Sequence, residues 1–600
     1  MSRFTAPILA VPLGVATLAV NLACAQGTTT ATIDDFFRDF TTEWIRHDPE
    51  LARGTRLLSG PIEDELERHL TPRTRAWREE RIERAARGLA NLAKFQNAAL
   101  TSSQRSSAEM LRWELQAIVD SRPFLDYSFP LSQYAQGAIG ANVSLVDALV
   151  VRHSVRTLRD AENYAAALGE VGTRLREARD GAKRIAAAGI VPPRFILEAT
   201  ITQMRRFIAM PAAQNPLVAS FDQKMIAANL GAADRARLRD EAERIVTSDV
   251  YPAWEEGIAL LESQLDRSTA DAGLSRLPNG SDAYRYFLRL FTTTDMTAQQ
   301  VHELGLRQVE VIDAQMDQVL RRLGYTEGSL EGRVARLRNT RAYADPASEE
   351  SRGAIMRDID AILQDAQARS ASLFLRTPRS PVIAQPYPDF QEANAAAGYL
   401  APATDGSRPG TFRYPRRVER MTKFDLKTLV YHETVPGHHF QIALQMENGA
   451  LPVFRQQFVL MNLSAFAEGW GLYAENLAAE SGWYKDDLEG LVGQLYDEEF
   501  RARRLVVDTG LHAMGWTRQQ AIDYGIEPAE VERYVVVPGQ ACSYMIGQLK
   551  LLELREKARR ALGARFSLPR FHDFVLSTGA MPLELLERET DAFIAREKSG

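Results

Sequence analysis

The sequence predicts a mainly α-helical protein of two lobes with one small β-sheet, and three observations carry that expectation. From Thr32 to about Leu265, apolar residues recur three or four apart with arginine, glutamate and alanine between them, the pattern of amphipathic helices. The strict alternation of a sandwich or barrel is absent. Between Leu373 and Tyr414, prolines, glycines and short apolar runs replace the helical pattern, which leaves room for a few short strands.

Taken in order, the clearest helical stretches are Asp34–Phe37, Arg81–Phe95, Ser107–Val119, Leu158–Ala188 and Ala232–Leu265. Pro123, Pro130, Pro192-Pro193, Pro211 and Pro216 fall between periodic stretches, where a residue without an N–H ends a helix. The polar segment Asp266–Asp282, with Ser275-Arg276-Leu277-Pro278-Asn279-Gly280 inside it, marks the expected boundary between an N-terminal helical lobe, 26–275, and a second lobe, 276–600. Helix resumes at Tyr284–Phe291 and Ala298–Leu323. Pro381–Ala384 and Ala395–Leu400 are the strand candidates, and after Pro415 the chain returns to helix.

With 45% hydrophobic and 25% charged residues, disordered, collagen-like and coiled-coil chains are excluded. Lysine and arginine number 72 against 78 acidic residues, for a net charge of −6. Without a basic block there is no footprint for nucleic acid. Residues 1–25 read as an export signal: Arg3 is the only charge, an apolar run extends from Ala6 to Ala23, and Ala23-Cys24-Ala25 is a small-x-small cleavage site before Gln26. A membrane anchor is the alternative, opposed by the short, proline-interrupted run. A lipidated Cys24 is another, opposed by Asn21 where an apolar residue is normal. The expectation is an exported protein, periplasmic or secreted, with no stable membrane insertion once the signal is removed; no oligomeric state follows from the sequence. Cys24 leaves with the signal, and Cys542 alone cannot form an internal disulfide. Any metal must therefore be held by His, Asp or Glu.

The informative segment is HETVPGHHFQ, His432 to Gln441. In a zinc hydrolase helix, two histidines on one face bind the metal and a glutamate beside the first acts as general base. That arrangement uses HExxH, whereas here Pro436 stands at the fourth place after His432 and the next histidines are His438 and His439. At about 100° per residue, His438 lies about 120° off the face of His432 in a regular helix, and His439 lies about 10.5 Å along the axis. Neither fits an unbroken helix. Pro436-Gly437 supplies the remedy, because proline deletes a backbone hydrogen bond and glycine tolerates unusual dihedrals. A local break there favours His432 and His438, with His439 as the competing second ligand.

A third ligand is offered by AFAEGWGLYAE, in which Glu468 lies thirty residues after His438. A His, His, Glu set leaves a coordination position open, as catalytic zinc requires. Glu475, two turns on, is placed to orient a ligand histidine. The plainer readings are a satisfied histidine cluster and an ordinary buried carboxylate. The chain holds its own control in His302-Glu303, which has no second histidine nearby and reads as helix surface. Farther on, Arg504, Asp508 and His512 recur at intervals of four, so one helix face carries all three. His512 and Tyr544 are the candidate donors for the oxyanion of amide hydrolysis, against a structural salt bridge and a core aromatic.

HETVPGHHFQ, AFAEGWGLYAE, RARRLVVDTGLHAMGWT and PGQACSYMIGQL together resemble the bacterial family called Domain of Unknown Function 885, which is similar to the gluzincin-type zinc metallopeptidases on a largely helical scaffold. The resemblance extends through LPNGSDAYRYFLR and HELGLRQV. It implies a two-lobed helical zinc-peptidase-like fold, Zn2+ held by His432, His438 and Glu468, and Glu433 as general base. It makes His439 a second-layer or substrate-side position. Tyr399, in a segment read as an edge strand for an extended peptide, and Arg504 are the other candidate substrate contacts. Arg413, Arg416 and Arg417 are candidates for a substrate carboxylate. The expected activity is hydrolysis of a peptide substrate; the alternatives are a non-peptide amide substrate and an inactive peptide-binding scaffold.

Overall fold

A computed structural model describes residues 32–137, 139–344, 348–387, 397–403, 406, 408–416 and 421–599. The signal segment with Cys24, residues Ala395 and Ala396 of the strand candidate, and Arg417 lie outside the described residues. Helix accounts for 70% of the chain and strand for 3%, so packing rests on helix against helix.

Each N-terminal helix begins and ends for a local reason. Thr32 caps the helix Ile33–Arg46 in a reciprocal box with Asp35, satisfying donors that the first turn leaves free. The expected helix at Leu158–Ala188 is two, Leu158–Leu168 and Val171–Ala187. At their junction the Glu170 carboxylate accepts from the main-chain N–H of Leu70 at 2.9 Å. The stretch from Ala232 runs through a π-helical turn, Val246–Val250, into Tyr251–Gln264. Pro252 lies just past that turn and has no N–H for the regular ladder, which accounts for the local change of winding.

Within the segment 266–282, only 268–279 is irregular, apart from a short turn at Leu274–Arg276; Asp266 and Arg267 lie in the 3-10 turn Leu265–Arg267 and residues 280–282 open the helix Gly280–Thr292, yet the irregular part is stitched down. The Leu274 N–H donates to His512 Nδ1 at 3.1 Å, and a Cβ on Gly273 would stand 1.9 Å from the Leu511 carbonyl oxygen. One hydrophobic core draws on both sides of it, joining Tyr127, Phe129 and Ile196 to Leu288, Leu505 and Val535. Another joins Phe37 and Trp44 to Phe454 and Val459.

The small sheet has three strands in the order β1-β3-β2, with β1 Val382–Pro386, β2 Gly398–Leu400 and β3 Gly410–Tyr414. β1 runs parallel to β3 and β2 antiparallel, with Tyr399 opposite Phe412. Val382, Phe412 and Tyr414 bury into the core shared with Val430, Phe440 and Trp470. The sheet is thereby held against five helices that matter for the site: Leu426–Glu433, His438–Met446, Ser464–Glu480, Leu488–Ala513 and Ser543–Leu562. Helices Ser464–Glu480 and Ser543–Leu562 touch at Gly469 and Gly547, where a Cβ on either residue would fall within 2.7 Å of the other's Cα. Among the described residues, no helix is long and apolar enough to cross a membrane.

Candidate functional site

The helix carrying His432 stops at Glu433, and a new helix starts at His438. Between them Thr434 leaves helical geometry, the Val435–Pro436 peptide is cis, and Gly437 donates to the Tyr431 carbonyl at 3.0 Å. Gly437 is required by close approach, since a Cβ there would stand 1.9 Å from the carbonyl oxygen of His432. The freed Pro436 carbonyl accepts from Trp470 Nε1 at 2.9 Å. The break therefore resets the helical phase, which an unbroken helix could not do.

His432, His438 and Glu468 come together, with their ligand atoms within 4.8 Å of one another. His438 Nε2 lies 3.3 Å and His432 Nε2 3.5 Å from the same Glu468 oxygen. His432 Nδ1 lies 2.7 Å from Glu475 Oε1, and the Thr428 hydroxyl donates to the other Glu475 oxygen at 2.6 Å. With Nδ1 turned to Glu475, Nε2 is the His432 nitrogen that faces the cluster. Gly471 makes room for this ring, since its Cβ would come within 2.5 to 2.8 Å of three ring atoms. Burial opposes charge on His432, but hydrogen bonds to Glu468 and Glu475 outweigh it and raise its pKa to about 10. Burial likewise opposes ionisation of Glu468, yet the two histidines hold its carboxyl well below the usual range.

The donor set could hold a metal ion: tetrahedral zinc at about 2.0–2.1 Å would separate neighbouring ligand atoms by about 3.3–3.4 Å, close to the 3.3 and 3.5 Å between the histidine nitrogens and the Glu468 oxygen. His438 Nδ1, by contrast, is buried with no partner among the described residues. Its Nε2 is the nitrogen aimed at the cluster.

Around the cluster the candidates divide. Glu433, 8% exposed, ends the helix one residue past His432. Tyr544 turns its ring toward His432, with centroids 6.5 Å apart, and burial, reinforced by Glu468, raises its hydroxyl pKa. His439 points away from the cluster: its Nδ1 meets the Tyr399 hydroxyl at 2.9 Å, and burial lowers its pKa to about 4, keeping it neutral. It joins helix to strand β2 rather than adding a fourth donor, and Gly410 leaves space for the joint.

Three expectations need correction. His512 is fully buried; its Nδ1 accepts from Leu274 N–H and its Nε2 lies 3.0 Å from the Tyr534 carbonyl. Both ring nitrogens are thus taken by main chain, and none is left for an oxyanion. Arg504 does not reach Asp508 or open space. It pairs with Glu530 at 3.1 Å, donates to the Tyr534 hydroxyl at 3.1 Å and stacks 4.4 Å from the Tyr544 ring centre, while its Nη1 is buried with no hydrogen-bond partner among the described residues. Asp508 instead accepts from the Tyr284 hydroxyl at 2.6 Å and from Gly539 N–H. His302 is not surface either; it is buried against Trp516 and bonded to Thr509 at 2.9 Å.

Sequence reasoning missed Tyr387 and Thr428. Tyr387, just beyond β1, has its hydroxyl pKa raised by burial, with Arg413 opposing and Glu433 adding; Arg413 stacks on its ring at 4.5 Å. Nothing in the sequence signals Tyr387. Thr428 was legible in principle, one turn before His432 on the same helix face.

The fold and site define a mainly helical protein carrying a two-histidine, one-glutamate cluster on three helices. The family described as "Bacterial protein of unknown function (DUF885)" matches residues 54–590, and the chain belongs to that family. It is similar to the crystal structure of "the putative lipoprotein from Colwellia psychrerythraea", at 27% identity and TM-score 0.85 over 94% of this chain and 100% of that one. It also shares its fold with a "putative lipoprotein of unknown function from Shewanella oneidensis", at 16% identity and TM-score 0.67 over 93% and 99% of the two chains. No curated protein matches it.

Proposed function

We propose that this protein is an exported zinc-dependent hydrolase, a metallopeptidase with a gluzincin-like site on a two-lobed helical scaffold. The observation that carries the reading is the convergence of His432 Nε2, His438 Nε2 and Glu468 at ligand-to-ligand spacing, with Glu475 fixing the His432 ring. Export rests on the composition of residues 1–25 and agrees with the lipoprotein descriptions of both solved relatives.

His432, His438 and Glu468 would hold the ion. Zinc in such a set supplies a Lewis acid that polarises a carbonyl and makes water a nucleophile near neutral pH. Glu433 takes the proton of the attacking water and passes it to the leaving amine. Tyr544 donates its hydroxyl hydrogen to the developing oxyanion, and Arg504, stacked on its ring, holds it in place. The edge of β2 that pairs with no strand among the described residues, beside the Tyr399–His439 joint, offers main-chain groups to an extended peptide.

The test is elemental mass spectrometry on the mature chain from Gln26, beside His438→Ala, followed by turnover of a peptide panel by the parent and by Glu433→Gln. The reading expects about one zinc per chain, lost in His438→Ala, and Glu433→Gln that keeps zinc but not turnover. A chain that takes up no zinc refutes it. Zinc with cleavage of N-acyl amides but not of peptides moves the substrate class.

A further inference from the structure

A cavity of about 550 Å³ opens between the N-terminal helices and the start of the helix that carries Glu468. Its walls are apolar in large part, with Ile118, Phe291, Leu463 and Val537 among them, yet four arginines and two carboxylates also line it. The carboxylates are already committed. Glu50 takes Arg73 at 2.7 and 2.8 Å, and Asp48 caps the helix Pro49–Thr55 while accepting from Thr71.

Arg78 and Arg81 are not neutralised in this way. They lie three apart on the helix Arg75–Leu92 and so share a face. Among the described residues, the Arg78 side chain has one hydrogen bond, to the Leu125 carbonyl, and its buried Nε has none. Arg81 lies 5.0 Å over the Trp44 ring and makes one long bond, 3.3 Å, to the Leu460 carbonyl. Neither has a carboxylate within ion-pair distance among the described residues. A guanidinium carries five donors in a planar fork suited to a carboxylate, and cations taken from water need such a partner.

The cavity also has a direction. Leu463 precedes the helix on which Glu468 stands five residues later, about 7.5 Å along the axis. Val537, on the same wall, leads through Gly539 and Gln540 toward Tyr544, and Gln540 bonds Ser464 across the gap at 3.4 Å.

We propose that this cavity receives the carboxylate end of a short apolar peptide, with Arg78 and Arg81 as its cationic contacts. The inference rests on the peptidase reading for the nature of the ligand, but the binding site itself does not depend on turnover. A cavity of this size suits a small ligand buried on most sides. An apolar body carrying one carboxylate matches its walls, and a peptide C-terminus and a free fatty acid share that chemistry.

The experiment is calorimetric titration of the mature Glu433→Gln chain with acetyl-trileucine, its C-terminal amide, and dodecanoate. The free acid should bind about tenfold or more tightly than the amide, as expected when a charged hydrogen-bonding group is removed. Arg78→Gln should abolish that preference, and Arg78→Lys should restore part of it, with melting curves showing each variant folded. Equal binding of acid and amide, no binding of either, or a preference that survives Arg78→Gln combined with Arg81→Gln overturns the proposal. Tighter binding of dodecanoate than of acetyl-trileucine overturns the peptide as occupant. Zinc-dependent peptide turnover by the parent chain without an acid preference refutes the cavity alone; an acid preference in a chain that hydrolyses nothing refutes the peptidase reading alone.

Discussion

Glu475→Gln tests whether the cluster is a metal centre held from behind or a set of ion pairs. The substitution preserves shape: a glutamine oxygen can still accept from His432 Nδ1, and its amide nitrogen can face Thr428. It removes one buried negative charge that now lies 2.7 Å from the ring. Across an imidazole, that charge lies about 6 Å from an ion at the cluster, where one unit pair is worth about 2.8 kcal/mol at an effective dielectric of about 20. Arg501, 3.9 Å from Glu475, offsets part of this. What remains agrees with the loss of about 10–100-fold in affinity, or about 1.4–2.7 kcal/mol, usual when such a partner is removed. Arg501 keeps Asp497 at 2.6 Å, so the variant should stay folded. Zinc competition against a chromophoric chelator reads the affinity directly. A variant within about twofold of the parent would show that the Glu475–His432 contact serves packing and does not hold Nε2 toward an ion.

Gly471→Ala should push the His432 ring off its position, given Cβ contacts of 2.5 to 2.8 Å, at a cost of about 1–3 kcal/mol; zinc content should fall while far-ultraviolet dichroism stays helical, and full zinc occupancy would contradict this. Tyr544→Phe should lower kcat about 100-fold with zinc retained, and an unchanged kcat removes Tyr544 from the mechanism. His512→Asn should instead lower the melting temperature, through unpaired main-chain groups at Leu274 and Tyr534 costing about 1–3 kcal/mol, with zinc per folded chain unaltered. His572 is buried between Tyr473 and the Leu373 carbonyl, and burial lowers its pKa to about 4. The unfolded chain takes up this proton below about pH 6.5 and the folded chain does not, so stability present above pH 6.5 is lost as pH falls toward 4, by at most about 3 kcal/mol. Denaturant titrations of His572→Phe should show a flatter pH dependence over that window than the parent, and equal slopes would exclude His572 as the source.

Residues whose partners are close in sequence were the easiest to read. Pro436 and Gly437 announce a helix break by deleting an N–H and admitting a carbonyl that a side chain would strike, and the phase change follows from helical geometry. Glu475 lies seven residues past Glu468, two turns along the same helix. Arg504, Asp508 and His512 do share one helix, but spacing cannot tell which neighbour that face meets. It meets Glu530, Tyr534 and Leu274, brought in from two other segments. Strand β3 is too short to stand out, with Arg413 between its two aromatics and Pro415 just past its end, and it forms because Phe412 and Tyr414 are buried. The π-helical turn before Pro252 is a backbone response that propensity does not record.

Within eight residues, the helix Ser464–Glu480 commits every side of its surface to a different neighbour. Glu468 faces the histidines, Gly469 meets Gly547, Trp470 secures the Pro436 carbonyl, Gly471 shelters the His432 ring and Glu475 steadies it from behind. Turning this rod by a single residue, about 100°, would undo all five relations together. A designer transplanting the centre onto another scaffold would therefore have to carry the histidine segment, the helix Ser464–Glu480 and the helix Ser543–Leu562 that crosses it at Gly469 and Gly547 as one piece, because the histidine segment alone brings donors without the frame that aims them.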